Sequence, residues 1–469
     1  MAEGGFEKKL KARELVAIGL GAVVGWSWIV YGGLWSTVGG SLGGVLAFFI
    51  TGLLCCLVGL VYAELTSAYP KAGGDIVFAF EGLGVKASLV TMWCMLVFWI
   101  GLIMIECMMI PVIMSRLGFA IPQICPLYDI AGGTVYLSYV VVSLLFNLLF
   151  AFLNVKGTQL ASGVQTAAVY LLLAGAVFLA VSGFLKGDVA NAEPLFTDMN
   201  GFVSVFLMLP GFMAGFNAIP QAAEEAKAPP KIIGKMVIAT VWAAVIFYVM
   251  VIVGTSLGAP ESVRLGDDLV VLDAFGLMYN NNPVVMTFIC FVSLLGMLTS
   301  WNAAYMAASR MIVGLARAKY LPGSLAHVNE KTGTPSKVIW LLFVFTSLIL
   351  IFGSSQTVYV LIVDVFSFGL VVVWLLVSIA FLRLRKLRPT LERPYRIKHP
   401  ALIGWGSILF CIWFLYLYMP FGPAGLTNAE WATIGAVAVL ALIVYFGWNR
   451  RGGKIPDEER RDLFGISQK

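Results

Sequence analysis

Two stretches decide the fold: Gly19-Leu-Gly21-Ala-Val-Val-Gly25-Trp-Ser-Trp28, and Pro210-Gly-Phe-Met-Ala-Gly215-Phe-Asn217-Ala-Ile-Pro220. Each lies inside an apolar run otherwise long enough to cross a bilayer, which takes about 20 residues. Glycine and proline at this density interrupt a helix. Backbone N–H and C=O groups released at mid-membrane depth are tolerated only where they line a cavity. One such break by itself is equally well explained by close helix packing. The pair says more, because the breaks fall in the first and the sixth run, five apart. A repeat of five helices has its second copy inverted, and matched breaks in corresponding helices of two halves point to a transporter site near the midplane.

Outward from these breaks, the chain reads as membrane throughout. Of its 469 residues 60% are hydrophobic and 12% charged, and the mean hydropathy is +0.92. Soluble domains carry about 25% charged residues, so a secreted, cytosolic or nucleic-acid-binding globule is excluded. Twelve apolar runs are expected to span, at 14–37, 42–67, 87–115, 135–154, 160–184, 201–223, 233–258, 284–317, 336–353, 357–382, 401–419 and 429–448. Residues 1–13 are polar and lead into an apolar stretch too long for a signal peptide. With both termini cytoplasmic, all of the 31 Lys and Arg except Arg116, Lys186 and Arg264 fall on the inner side. The basic charge is thus a topology signal and needs no nucleic-acid partner. The seven cysteines form no C-x-x-C pair, and the two histidines sit in basic loops. No metal, cofactor or catalytic constellation is expected, and an enzyme is not.

With the spans in place, five motifs carry a family resemblance over almost the whole chain. They are Gly21-Ala-Val-Val-Gly25, Tyr62-Ala-Glu-Leu65 with Pro70-Lys-Ala-Gly-Gly74, Gly215-Phe-Asn217 followed by Ala223-Glu-Glu225 and Pro229, Ser309-Arg310 with Gly314-Leu-Ala-Arg317, and Arg393-Pro-Tyr-Arg396. In this order and on these helices the sequence resembles the amino acid–polyamine–organocation (APC) family of permeases. The resemblance implies a leucine-transporter-type fold: all-α, 12 transmembrane helices, a 5+5 inverted repeat plus two C-terminal helices, with helices 1 and 6 broken. The corresponding organisation is a cytoplasmic segment 1–13, repeats at 14–184 and 201–384, the appended pair at 399–449, and a cytoplasmic tail 450–469. A multi-pass protein of the cell membrane is expected.

The family's broken first helix holds a substrate carboxylate on backbone amides, where the helix dipole favours an anion. Here small residues give way to Val24-Gly25-Trp26-Ser27-Trp28, so the amides remain while two indoles either line the cavity or face a neighbouring helix. A Trp face attracts an ammonium group by roughly 0.5–2 kcal/mol. Phe212, Met213, Ala214, Gly215 and Asn217 of the sixth helix, with Trp301 of the eighth, complete the expected binding set. Asn217 stands where many relatives carry an acid, and no lysine stands in Ala161-Ser-Gly163-Val-Gln165 where some proton-coupled relatives have one.

Charges inside the spans are functional candidates by default, at about 2.5–3.5 kcal/mol each on insertion scales. Glu106, seven residues after Trp99 in the third span, could bind a substrate amine, carry a proton or pair with another helix. Asp364 in the tenth is either an outer-gate or coupling charge or a structural pairing partner, and Phe216 a candidate gate residue. Glu64, Glu224 and Glu225 fall among basic loops and are expected to pair there. The expectation is a secondary transporter of a small amino acid or amino-acid-derived amine by alternating access, as a proton-coupled symporter or an exchanger. Sodium coupling, a quaternary ammonium or betaine-type substrate, and a membrane sensor that does not translocate stay open, and so does the oligomeric state.

Overall fold

The computed structural model describes residues 6–116, 118–119, 121–130, 133–265, 269–352, 356–422, 425–449 and 455–466. In chain order, α1 (Ala12–Val24) and α2 (Ser27–Val38) are followed by α3 (Ser41–Ala68), the short α4 (Asp75–Leu83) and α5 (Val85–Arg116). A hairpin of β1 (Pro126–Ile130) and β2 (Gly133–Tyr136) precedes α6 (Leu137–Lys156) and α7 (Thr158–Lys186). Next come α8 (Met199–Met213), α9 (Ala218–Ala222), α10 (Pro230–Gly258), α11 (Glu261–Arg264), α12 (Val270–Tyr279) and α13 (Pro283–Arg317). The chain closes with α14 (Ser336–Phe352), α15 (Gln356–Leu387), α16 (Pro400–Tyr418), α17 (Asn428–Val444) and α18 (Asp457–Leu463).

Ten segments among the described residues are long and apolar enough to cross a membrane, and the chain is a polytopic helical membrane protein. Two of the twelve expected runs fall short of that length among the described residues. The first is split into helices of 13 and 12 residues, and α14 has 17. The hairpin, α4 and α12 fill stretches expected as loops. The expected tails are described only at 6–13 and 455–466, so Arg450, Arg451, Lys454 and Lys469 lie outside the described residues.

Both breaks form where glycine makes them cheap. Gly25 has φ +48° and Gly215 φ +123°, backbone that residues with a Cβ rarely adopt. The two breaks also touch. A Cβ on Gly215 would lie 2.6 Å from the backbone of Ala22 and Val23, and one on Gly296 of α13 would lie 2.2 Å from the Gly25 carbonyl oxygen. Small residues therefore let three backbones converge at one point, the packing device of membrane helices. Around it the core is continuous, while Leu145, Leu149, Leu440 and Ile443 on α6 and α17 are exposed, as a lipid-facing surface requires.

Candidate substrate-binding site

The gap between α1 and α2 opens onto a cavity of about 630 Å³. Gly25, Trp26 and Ser27 form one wall, Glu106 and Ser300 another, and Phe212 with Ala214 a third. The first amides of α2 have no partner within their helix, so this wall offers N–H donors and the positive end of a helix dipole. The carbonyls on the other side of the gap are already engaged. The Tyr248 hydroxyl lies 3.0 Å from the Val23 oxygen and 3.2 Å from the Val24 oxygen, and the Ser27 hydroxyl donates to Val24 at 3.1 Å.

Glu106 faces this gap. Its Oε1 accepts a hydrogen bond from the Ser300 hydroxyl, and a Cβ on Gly25 would be 3.8 Å from it. Its Oε2 is buried without a partner. No Lys, Arg or His lines the cavity among the described residues. A buried carboxylate with an unpartnered oxygen costs several kcal/mol unless a proton or another cation arrives. Beside it Trp26 meets Tyr359 of α15 edge to face, with ring centroids 5.8 Å apart. Farther along the wall Asp364 of α15 and Glu430 of α17 both line the cavity. Tyr359 lines the cavity with both Glu106 and Asp364.

The residues singled out in the sequence separate into two groups. Gly25, Trp26, Ser27, Glu106, Phe212, Ala214 and Asp364 line the one cavity. The others lie behind its walls. Trp28 packs edge-on against Phe247 and Trp301 stacks on Phe150 at 5.0 Å, so both indoles fill helix interfaces. Val24 presents its carbonyl to Tyr248, Met213 is buried off the cavity, and Gly215 provides the helix crossing. Sequence reasoning missed Tyr31, Tyr359, Glu430 and the role of Ser300. Ser300 carried a signal as a hydroxyl beside Thr299, and Glu430 as a charge inside the expected span 429–448.

Phe216 and Asn217 belong to a plug on the α1 side of the cavity. Phe216 is sandwiched between Tyr62 and Trp374, with centroids at 5.4 and 5.5 Å. Asn217 accepts from the Trp374 indole at 3.2 Å and donates to Asp75 at 3.1 Å, and Gln221 donates to Asp75 at 2.7 Å. Burial without a cation pushes Asp75 up to about 6 against the ordinary 3.8, while these hydrogen bonds pull it back. Below the plug are ion pairs: Glu225 with Arg310 at 2.6 Å, Glu224 with Arg317 at 3.0 Å, Glu64 with Arg385 and Arg393, and Glu81 with Arg388 and Arg461. Glu64, Glu224 and Glu225 thus pair with arginines, as the basic loops led one to expect. The segment before α1 joins them, with the Lys9 and Leu10 amides donating to the Glu225 carbonyl.

A sequence model described as amino acid permease matches residues 10–446. The methylthioribose transporter of Bacillus subtilis (strain 168) is 25% identical over 453 residues, covering 95% of this chain and 94% of that protein. The branched-chain amino acid permease BcaP of the same organism is 27% identical over 97% of this chain and 95% of its own length. The L-asparagine permease of Escherichia coli (strain K12) is 22% identical, over 98% and 94%. All three are transporters or permeases, none an enzyme.

Proposed function

Since the chain belongs to the amino acid permease family, we propose that it is a secondary transporter carrying a small amino acid or amino-acid-derived amine across the cell membrane by alternating access. In this reading α1–α2 and α14 complete a set of twelve spans, the helices 1–5 and 6–10 form inverted repeats, and both termini are cytoplasmic. The observation that carries the substrate assignment is the facing pair at the first break. Amides at the start of α2 suit a carboxylate, and the unpartnered Oε2 of Glu106 suits an ammonium group. The Val23 and Val24 carbonyls are already next to the Tyr248 hydroxyl, which leaves Glu106 as the stronger acceptor for that group.

The conformation fits an outward-facing state. The plug of Phe216, Trp374 and Asn217 and the ion pairs below it close the side on which the basic loops fall. Opening that side while closing the cavity mouth would deliver the solute to the cytoplasm. Coupling is to protons or to a counter-solute, with Glu106 and Asp364 as the titratable groups in the cavity. A second reading, an amine lacking the carboxylate, is favoured by a cavity rich in acids and, among the described residues, free of cations.

The test is thermal unfolding of the purified protein with α-amino acids, their decarboxylated amines and betaine-type compounds, followed by uptake of the stabilising compound into proteoliposomes. A ligand that binds only the folded state raises its stability. Stabilisation by amino acids, with uptake, supports the first reading, and stabilisation by amines alone the second. Binding without uptake would overturn transport in favour of a sensor.

A further inference from the structure

Three carboxyl groups line the cavity, Glu106, Asp364 and Glu430, and among the described lining residues no cation answers them. Elsewhere the protein treats buried carboxylates differently. Glu64, Glu81 and Glu225 each meet arginine, and Asp75 is wrapped by side-chain amides. The cavity is where acidic charge is left for something that is not part of the chain. A cation entering the cavity would favour the ionised form of each of these carboxyl groups. One Glu430 oxygen is held by the Thr427 amide at 2.6 Å in a capping box at the start of α17, which fixes the carboxyl in place.

We infer that the substrate is a basic amino acid, a zwitterion whose side chain carries a second cation. Its carboxylate sits at the α2 amides, its α-ammonium at Glu106, and its side-chain cation at Asp364 and Glu430. This rests on the permease reading above and names the substrate class of the same site. The arrangement of the walls supports it. Tyr359 lines the cavity together with Glu106 and Asp364, and its ring meets that of Trp26. An aliphatic chain crossing from one acid to the other would therefore lie along aromatic surface, with Phe98 and Phe366 also lining the cavity. A volume of about 630 Å³ exceeds the needs of alanine or serine and leaves room for a chain of several methylenes with water around its charged end. A side-chain cation would find carboxyl oxygens at Asp364 and Glu430 to receive it, whereas a neutral side chain would leave both without a partner from the substrate.

Competition binding to the purified full-length chain tests this with lysine, norleucine and cadaverine. Norleucine keeps the carboxylate and chain but lacks the second cation, and cadaverine keeps both cations but lacks the carboxylate. The expected result is that lysine binds at least about tenfold tighter than either, a modest discrimination for one charged contact. In the variant Asp364→Asn with Glu430→Gln the lysine-to-norleucine ratio falls towards one, and in Asp364→Glu it is retained, which separates loss of charge from loss of fold. Norleucine binding as tightly as lysine would overturn the inference while leaving the permease reading intact. Cadaverine equal to lysine would overturn it in favour of a diamine. Binding by none of the three, with binding of neutral small amino acids, would also overturn it. No binding by any amino acid or amine would defeat the permease reading itself.

Discussion

Replacing Glu106 by glutamine should move binding and stability in opposite directions. The side chain keeps its size and can still bond Ser300, but the charge is gone. A hydrogen bond to a charged group contributes about 1.5–3 kcal/mol, and each 1.4 kcal/mol is about a factor of ten. Affinity for an amino acid should therefore fall roughly 10- to 150-fold. The ligand-free protein should respond in the opposite sense. An ionised side chain at mid-membrane depth costs about 2.5–3.5 kcal/mol on insertion scales, and here one carboxylate oxygen is buried without a partner. A neutral amide removes part of that cost, so the empty variant should be more stable by about 1–2 kcal/mol. Calorimetric titration gives the affinity, and denaturant unfolding in the same detergent gives the stability. A variant that binds normally and unfolds earlier would show that Glu106 only braces α5 against α13, and the ammonium assignment would fall.

Gly215→Ala should impair folding or transport, because its φ of +123° and a contact of 2.6 Å with the α1 backbone leave no space for a methyl group; strain of about 1–3 kcal/mol is expected, and an unchanged unfolding midpoint would contradict the crossing of the two breaks. Arg310→Ala leaves Glu225 buried and uncompensated in a pair whose side chains are 1% and 2% exposed, a loss of about 3–5 kcal/mol. The double change Arg310→Met with Glu225→Leu should recover much of it, and equal damage in both proteins would refute the pairing argument. Asp75 has its pKa raised from 3.8 to about 6 by burial, so the folded chain holds this proton where the unfolded chain has released it. Stability from this group is present below pH 4 and is lost as pH rises to about 6, by at most about 3 kcal/mol. Asp75→Asn should flatten that part of the pH–stability curve, and an unchanged slope would place the titration elsewhere.

How much of the site could be read in advance depends on how local its signal was. Gly25 and Gly215 were legible because a break in an apolar run is a feature of the sequence itself. Glu106 and Asp364 were legible because a charge inside a span is costly wherever the helix turns. Trp301 was expected in the binding set and Trp28 as a candidate for it, yet both pack in helix interfaces, since an indole is equally at home in a cavity wall and between helices. Facing direction decides between these, and a 3.6-residue period does not fix it when nearly every position is apolar. Asn217 looked like a substrate ligand from its place in the sixth helix. In the fold it turns away from the cavity and holds Asp75 and Trp374.

The sequence by itself determined that this is a membrane protein with interrupted helices, and its Lys and Arg asymmetry argued for one orientation. Those properties follow from composition, run length and local breaks, which do not depend on what packs against what. The tertiary structure decided which groups share a cavity. Trp26, Glu106, Ser300 and Tyr359 come from α2's edge, α5, α13 and α15, from 59 to 333 residues apart, and only close packing around small residues such as Gly25 and Gly296 brings them together. It also decided which carboxylates are already compensated. Glu64, Glu81 and Glu225 have arginines and Glu106 does not, a difference set by side-chain contacts between distant helices that no local pattern records.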